Sequence, residues 1–487
     1  MMIKKQTNGK DRGKSGLSKE SGSEKRRSRS AAFAGMIIAL PILLTGCGDP
    51  TTQVQAEGMK KVGSYMVVQE ADYTEGGETE EVLATFTSSD NLCEIRKYAS
   101  YYEVTLDYRN GTPSEVGAAY ARTIRKASPD YEKDFEPYLY ENIRLAFSGR
   151  NVNYTSLEKR IMTLFESLPD EYKEELAGFA REIAQDEEGY EENGKLSYVE
   201  AITMQMIPDA LRQTACSALS IWGSKTESGE RLSMRNLEWN IGSKNQISAL
   251  HTVLHMNKGE RSITSIGMLG LLDIITAVSD DGVMVGILDV GSRQGDPYIY
   301  EGKKCYTFDL RYALEQFTTA KEVGEYMVGE SGDYTWCHNL FITDKEDAFC
   351  AEDVTSEVAA TGKAKSVLRS ADTPIHDGLS WDSEDSLCIV NSFATKGNQD
   401  GFTNSTSNLV RFVKYNNWVK EKEKFDVADF KGIMAKEIVD QMDVANVHSS
   451  GTVHTVILDY ATGKIQVAFT TGECADDIPR FLEIGHY

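Results

Sequence analysis

The spacing of apolar positions divides the chain into stretches of different texture. Residues 1–30 are polar and basic and end in Lys25, Arg26, Arg27, Ser28 and Arg29, and an apolar run from Ala31 to Leu44 follows at once. A cationic stretch ahead of about 14 apolar residues has the form of a secretory signal, because a spanning helix needs about 20. Gly48 to about Glu57 reads as a flexible tether, and Glu75 to Glu81 as an acidic loop. Tyr101 to Tyr108 alternates in the period of a half-buried strand. The period then changes. Thr112, Pro113 and Glu115 combine a capping hydroxyl, Pro at the first helical position and Glu at the third, which predicts a helix start. From there to about Gln185 the pattern is mostly helical, with Leu164, Leu168, Tyr172, Leu176, Phe179 and Ile183 three or four apart and Pro169 dividing two helices. Residues 59–215 are thus expected to form a small sheet followed by helices.

After Met206, Ile207 and Pro208 come short β-rich runs separated by turns. Strands are predicted at Cys216–Trp222, Arg231–Met234, Ala249–His255, Ser262–Met268, Ile274–Val278, Val283–Asp289, Asn339–Thr343 and Leu387–Val390. Helices are predicted at about Leu310–Phe317, Thr319–Met327 and Asp426–Met442, with a closing hairpin around Ala461, Thr462 and Gly463. Strands bracketing central helices imply an α+β fold of two sheets between helix layers. No internal repeat is visible.

Composition narrows the classes. With 487 residues, 40% hydrophobic and 26% charged, the chain can bury a core, which excludes collagen, wholesale disorder and a polytopic membrane protein. The net charge is −23; residues 1–46 carry +7 and the remainder −30, the wrong sign for a nucleic-acid surface. The apolar run ends in Leu44, Thr45, Gly46 and Cys47, followed by Gly48, Asp49 and Pro50. This resembles a bacterial lipoprotein cleavage box. The resemblance implies a signal peptide at 1–46, lipidation of Cys47, a tether at 47–58, and a protein held by its lipid on the extracytoplasmic face of a bacterial cell membrane. The seven other cysteines are odd in number and form no CxxC pair, so no structural metal is expected. Cys337 and Cys350 can be read as a bridge or as two buried thiols.

The chemistry centres on Cys216, which opens a strand. If the bond between Ala215 and Cys216 is cut, a thiol and a free α-amine lie on one residue. With the amine pKa at about 7.7 to 8.0 and the thiol at about 8.5, that residue supplies both nucleophile and general base. Nineteen residues on stand Arg235, Asn236, Leu237, Glu238 and Trp239. Cys, a hairpin, then Arg-Asn-x-Asp/Glu-aromatic resembles the choloylglycine hydrolase superfamily of amino-terminal nucleophile (Ntn) hydrolases. Its members include bile salt hydrolases, acid ceramidase, N-acylethanolamine acid amidase and the penicillin-forming acyltransferase. The likeness continues through Ser265–Gly270, Val278–Ile287, Leu387–Phe393, Ser407–Arg411 and Gly451–Asp459, essentially from Cys216 to the end. Gly111, Thr112 and Pro113, with the helix after them, are similar to the leader of the acyltransferase branch.

The resemblance implies a four-layer αββα Ntn-hydrolase sandwich over 216–487, preceded by a mostly helical leader over 59–215 that stays bound after autoproteolysis. Cys216 would be the nucleophile. Arg235 would favour its thiolate, Glu238 would hold the α-amine, Asn391 would direct an amide N–H at the oxyanion, and Arg411 would complete the polar ring. The implied activity is hydrolysis of linear amide bonds in N-acyl compounds (bile salts, N-acyl amines or N-acyl amino acids), or transfer of the acyl group, without cofactor or metal. One departure stands out: Asp289 occupies a strand position where several relatives have Asn. An ionised carboxylate accepts but does not donate. Either Asp289 is turned away, a backbone N–H does the work, or substrate preference differs. Asp289 also supports the alternative, a catalytically silent, surface-anchored binding lipoprotein on the same scaffold. A solute-binding lipoprotein of a transporter is disfavoured, because the carboxy-terminal half lacks two alternating lobes. His251 and His255 are four apart but on a predicted strand, so no metal pair is expected.

Overall fold

The computed structural model describes residues 59–62, 65–68, 73–147, 151–184, 187–211, 216–290, 298–399, 406–435, 447–448, 451–470 and 479–487. The expected signal peptide, Cys47 and the tether, together with Ala215, lie outside the described residues.

The amino-terminal half is built largely as its pattern predicts. In the strand at Tyr102–Asp107, Tyr102, Val104 and Leu106 are buried and their neighbours half-buried. Helix α1 (Pro113–Ala127) starts with a full capping box between Thr112 and Glu115. After α2 (Tyr131–Ala146), Pro169 separates α3 (Tyr154–Ser167) from α4 (Asp170–Ala184). A Cβ added at Gly117 of α1 or Gly178 of α4 would strike the backbone of the other helix, so these glycines permit the tight α1–α4 contact. A second capping box, Ser197 with Glu200, starts α5 (Tyr198–Gln205), and a π turn at Ile207–Leu211 follows.

The strands, numbered in chain order, are β1 (Met59–Val62), β2 (Tyr65–Val68), β3 (Ala84–Thr87), β4 (Cys93–Lys97), β5 (Tyr102–Asp107), β6 (Ser217–Ile221), β7 (Leu232–Glu238), β8 (His251–Lys258), β9 (Arg261–Met268), β10 (Thr276–Ser279), β11 (Met284–Asp289), β12 (His338–Thr343), β13 (Ala348–Asp353), β14 (Val367–Arg369), β15 (Ser386–Val390), β16 (Thr452–Asp459), β17 (Lys464–Phe469) and β18 (Phe481–His486). Besides the β1–β2 hairpin, the described strands form a ten-stranded sheet in the order β14-β13-β12-β11-β10-β9-β8-β5-β4-β3 and a six-stranded sheet in the order β15-β6-β7-β16-β17-β18. The sheet expected within 59–215 is therefore not separate. Strand β5 pairs parallel to β8, Tyr102 opposite Thr252 through Asp107 opposite Asn257, and carries β3 and β4 into the sheet of the carboxy-terminal part. The apolar residues of β5 find their partners across this junction, which the period of the strand alone does not reveal.

Helices α1, α6 (Tyr306–Gln316) and α7 (Ala320–Glu330) pack on the larger sheet, and α9 (Thr406–Glu421) and α10 (Val427–Ala435) on the smaller one; the single turn α8 (Ser356–Ala359) lies beside α7's end. Leu219, Met234 and Ile457 of the small sheet pack with Phe412, Tyr415 and Phe430 of its helices. The sheets touch through Thr343 and Tyr460 (2.9 Å) and through Thr276 and His454 (3.0 Å). The arrangement is α+β in four layers, αββα, as the resemblance implies. Helix α9 and strands β13, β14 and β18 are additions to the predicted elements. Cys337 and Cys350 are buried thiols not joined by a disulfide, and Cys337 Sγ lies 3.9 Å from Thr355 Oγ1, which favours the second reading.

Candidate active site

Cys216 immediately precedes β6, the second strand of the small sheet, and is fully buried. Its side chain lies against the pairing strand β7. Arg235, opposite Ala218 in the β6–β7 register, places Nη2 3.5 Å from Cys216 Sγ and donates from the same nitrogen to the carbonyl of Ile287 in the opposing sheet at 2.7 Å. The Arg235 side chain crosses from one sheet to the other over Gly286. A Cβ at that position would meet Arg235 Cγ and Nε at 2.8 Å, so only glycine leaves room. Burial pushes both guanidinium groups, Arg235 and Arg411, below their ordinary range. Cys216 and Glu238 oppose the shift at Arg235, and Glu238 first at Arg411. Both remain cations at physiological pH.

The nitrogen of Cys216 is held separately from its sulfur. It donates to Asn391 Oδ1 at 2.5 Å. Asn391 follows β15, the strand that pairs with β6 on the other side. Arg411 of α9 donates through Nη1 to the carbonyl of Cys216 at 2.7 Å and through Nη2 to Asn391 Oδ1 at 3.1 Å. Asn391 Nδ2 donates to the carbonyl of Asp289 at 2.6 Å. Two donors on Oδ1 and an acceptor on Nδ2 orient this amide uniquely. One N–H of Nδ2 is thereby committed, so an oxyanion role for Asn391 requires the other. Glu238 ends β7; its carbonyl lies 3.9 Å from Cys216 Sγ, and its carboxylate accepts a short hydrogen bond from the Thr452 hydroxyl. Cys216, Arg235, Glu238, Asn391 and Arg411 thus share one buried cluster between the two sheets.

Asp289 contributes its backbone to that cluster and sends its side chain elsewhere. Because Gly286 faces Arg235, alternation along β11 turns Asp289 toward the helix layer. There Tyr306 of α6 donates its hydroxyl to Asp289 Oδ1 at 3.4 Å. His338, the register partner of Asp289 on β12, stacks on the Tyr306 ring with centroids 3.9 Å apart and pairs with Asp353 of β13 at 3.1 Å. The alternation along β11 and the Tyr306 contact speak for the first of the three readings open for Asp289.

Several supporting residues escape sequence reasoning. Asn408, one turn before Arg411 on α9, receives Arg411 Nη2 at 2.7 Å and donates to the carbonyl of Asn391 at 2.8 Å. The three-residue spacing Asn408–Arg411 was available as a signal, but only to a reading that placed a helix there. Asn339 reaches from β12 to the carbonyls of Val390 and Ser392, each at 3.0 Å, and so pins both neighbours of Asn391; nothing in the local pattern marks it. His251 and His255 are bonded to Thr470 and to Thr264 and Glu103 respectively, and burial pushes His251 down to about 4.

Neither a family model nor a curated protein matches the chain. Among solved structures it is similar to the Caenorhabditis elegans ortholog of N-acylethanolamine-hydrolyzing acid amidase, at 10% identity and a TM-score of 0.34, over 50% of this chain and 92% of that one. It is also similar to a mutant and a variant of the conjugated bile acid hydrolase from Clostridium perfringens, at 11% and 12% identity, each with a TM-score of 0.32 over 56% of this chain and 97% of that chain.

Proposed function

We propose that the chain is a cysteine Ntn hydrolase that cleaves linear amide bonds of N-acyl compounds, or transfers their acyl group, after autoproteolysis between Ala215 and Cys216. The observation that carries this reading is the separate seating of the two heteroatoms of Cys216: sulfur beside Arg235, nitrogen on Asn391. In the processing step the Ala215–Cys216 C–N bond breaks and water divides between the new carboxylate and the new amine. In turnover the amine takes the thiol proton, the thiolate attacks the substrate carbonyl, and the leaving amine receives the proton. The resulting thioester is released by water or by an acceptor amine. A buried cation 3.5 Å from sulfur favours the thiolate over the thiol. Arg411, holding both the Cys216 carbonyl and Asn391, keeps the nitrogen fixed while the sulfur changes charge. Substrates of the bile salt, N-acyl amine and N-acyl amino acid types all fit this chemistry.

The same reading places the protein on the extracytoplasmic face of a bacterial membrane through a lipid on Cys47; no helix among the described residues is long and apolar enough to cross a bilayer. A catalytically silent binding protein would be favoured by a carboxylate against the sulfur, and the Asp289 carboxyl faces Tyr306 instead.

Intact-mass analysis with amino-terminal sequencing of the mature protein tests both proposals at once. The expected result is two co-purifying chains, one carrying a lipid mass on Cys47 and one beginning at Cys216, with Cys216→Ser yielding a single uncut chain without amidase activity. A wild-type chain that stays uncut yet hydrolyses amides at full rate overturns the assignment of the base.

A further inference from the structure

The residues just ahead of Cys216 are tied to the site by a route independent of the peptide bond to be cut. Asp209, seven residues before Cys216, lies in the π turn at Ile207–Leu211 and is fully buried. Its Oδ1 accepts the backbone N–H of Tyr306 at 2.7 Å and its Oδ2 the hydroxyl of Thr307 at 2.6 Å. Tyr306 opens α6, and the residue before it, Cys305, makes no capping bond with its own side chain. A helix leaves its first N–H groups without internal partners and favours negative charge there. Asp209 therefore caps α6 from another element. The turn is held in place from outside as well: the Asp209 carbonyl accepts from Thr335 Oγ1 at 2.9 Å, and the Ala210 carbonyl from Arg160 Nη1 at 3.0 Å.

From the first turn of α6 the contacts run on to the nucleophile. The Tyr306 hydroxyl meets Asp289 Oδ1 at 3.4 Å, the Asp289 carbonyl receives Asn391 Nδ2 at 2.6 Å, and Asn391 Oδ1 receives the Cys216 nitrogen at 2.5 Å. We infer that Asp209 is a positioning residue for the Cys216 amine, acting through Tyr306, Asp289 and Asn391, so that the end of the leader remains a working part of the site after cleavage. This rests on the function proposed above. It goes beyond that function in giving the leader a role in turnover, since a displacement of about 1 Å at a reacting group can cost about a hundredfold in rate.

A double-mutant cycle on the mature protein tests it. Asp209→Ala is expected to lower kcat at least about tenfold with KM changed by less than about threefold, Tyr306→Phe to do the same, and the double variant to be no slower than the worse single variant, because positions on one chain of contacts are not additive. Asp209→Asn keeps an oxygen for the Tyr306 N–H and is expected to stay within about threefold of wild type. Multiplicative effects in the double variant, or an Asp209→Ala protein with wild-type kcat, overturn the inference. Should Asp209→Ala fail to fold, Thr307→Val, which removes one of the two donors to Asp209, takes its place in the cycle, with a multiplicative result again decisive. The rate of Cys216 alkylation by iodoacetamide, mapped by peptide mass, provides the same cycle without an amide substrate. A chain that is neither cut nor active ends the proposed hydrolase and, because the Cys216 nitrogen then stays an amide, this inference with it, whereas a cut and active chain with multiplicative effects overturns this inference alone.

Discussion

Arg235 reaches Cys216 only because residue 286 has no side chain. Gly286→Ala would put a methyl 2.8 Å from Arg235 Cγ and Nε and force the guanidinium off its place beside the sulfur. We expect kcat to fall about tenfold or more, in the range of losing one charge-assisted contact to a reacting group. Gly267→Ala, on β9 with nothing within 4 Å of its Cβ, is the control expected to leave kcat unchanged. Asp209 carries a second residue-scale consequence, in pH. Burial pushes its carboxyl up to about 7, far above the ordinary carboxylate value of 3.8. An acid raised in the folded state lends stability that is fully present below the unfolded value and is lost as pH climbs through 7. Thermal unfolding between pH 4 and pH 8 should therefore show wild type losing on the order of a few kcal/mol that Asp209→Asn does not lose. Equal pH slopes in the two proteins refute this. At this scale the sequence was legible where residues belong to the motifs of the resemblance: Cys216, Arg235, Glu238, Asn391 and Arg411 lie in one buried cluster. Asn339, Asn408 and Tyr306 were not legible, because each reaches the site from an element whose pairing or packing is set at long range.

At the scale of elements, caps and prolines carried most of the information. The Thr112–Glu115 box and the break at Pro169 are local hydrogen-bonding and steric effects, and helices begin and end where they predict. Helix α9 follows no such signal among its described residues, and two of its polar side chains, Asn408 and Arg411, are buried against Asn391 and Cys216. The contact between the leader helices and α6 is equally invisible locally. Arg311 of α6 meets Glu175 of α4 at 2.7 Å with both side chains 1% exposed, and also bonds Glu315 at 3.0 Å and the Leu272 carbonyl at 3.1 Å. Lys258 joins the group through Glu171 and Glu315. Removing one partner of such a buried pair strands the other charge and costs about 3 to 5 kcal/mol. Arg311→Ala is accordingly expected to lower the unfolding temperature sharply and, in cleaved protein, to let the leader separate on size-exclusion chromatography. Wild-type fragments should co-elute in 1 M salt, because buried pairs are poorly screened. Co-elution of the Arg311→Ala fragments would show that the sheet junction alone suffices.

Over the whole molecule, the layer order followed from the alternation of strand and helix patterns, whereas the boundary expected at 215/216 is not a structural boundary. A division at 215/216 cuts the chain without cutting the core. Strands β3, β4 and β5 lie in the same sheet as β8 to β14, and one hydrophobic cluster runs from Leu92 through the leader helices to Leu482.

The parallel β5–β8 ladder also sets an order of events. Its two strands are separated in the chain by helices α1 to α5, the bond between residues 215 and 216 and the β6–β7 hairpin. While the chain is continuous, those segments act as a leash that keeps the two strands within reach of each other; once it is severed, the strands can meet again only by diffusion, as two independent molecules. On the proposed cleavage at 215/216, maturation is for that reason a one-way gate: synthesis in one piece brings the two strands together, and the cut erases the route by which they met.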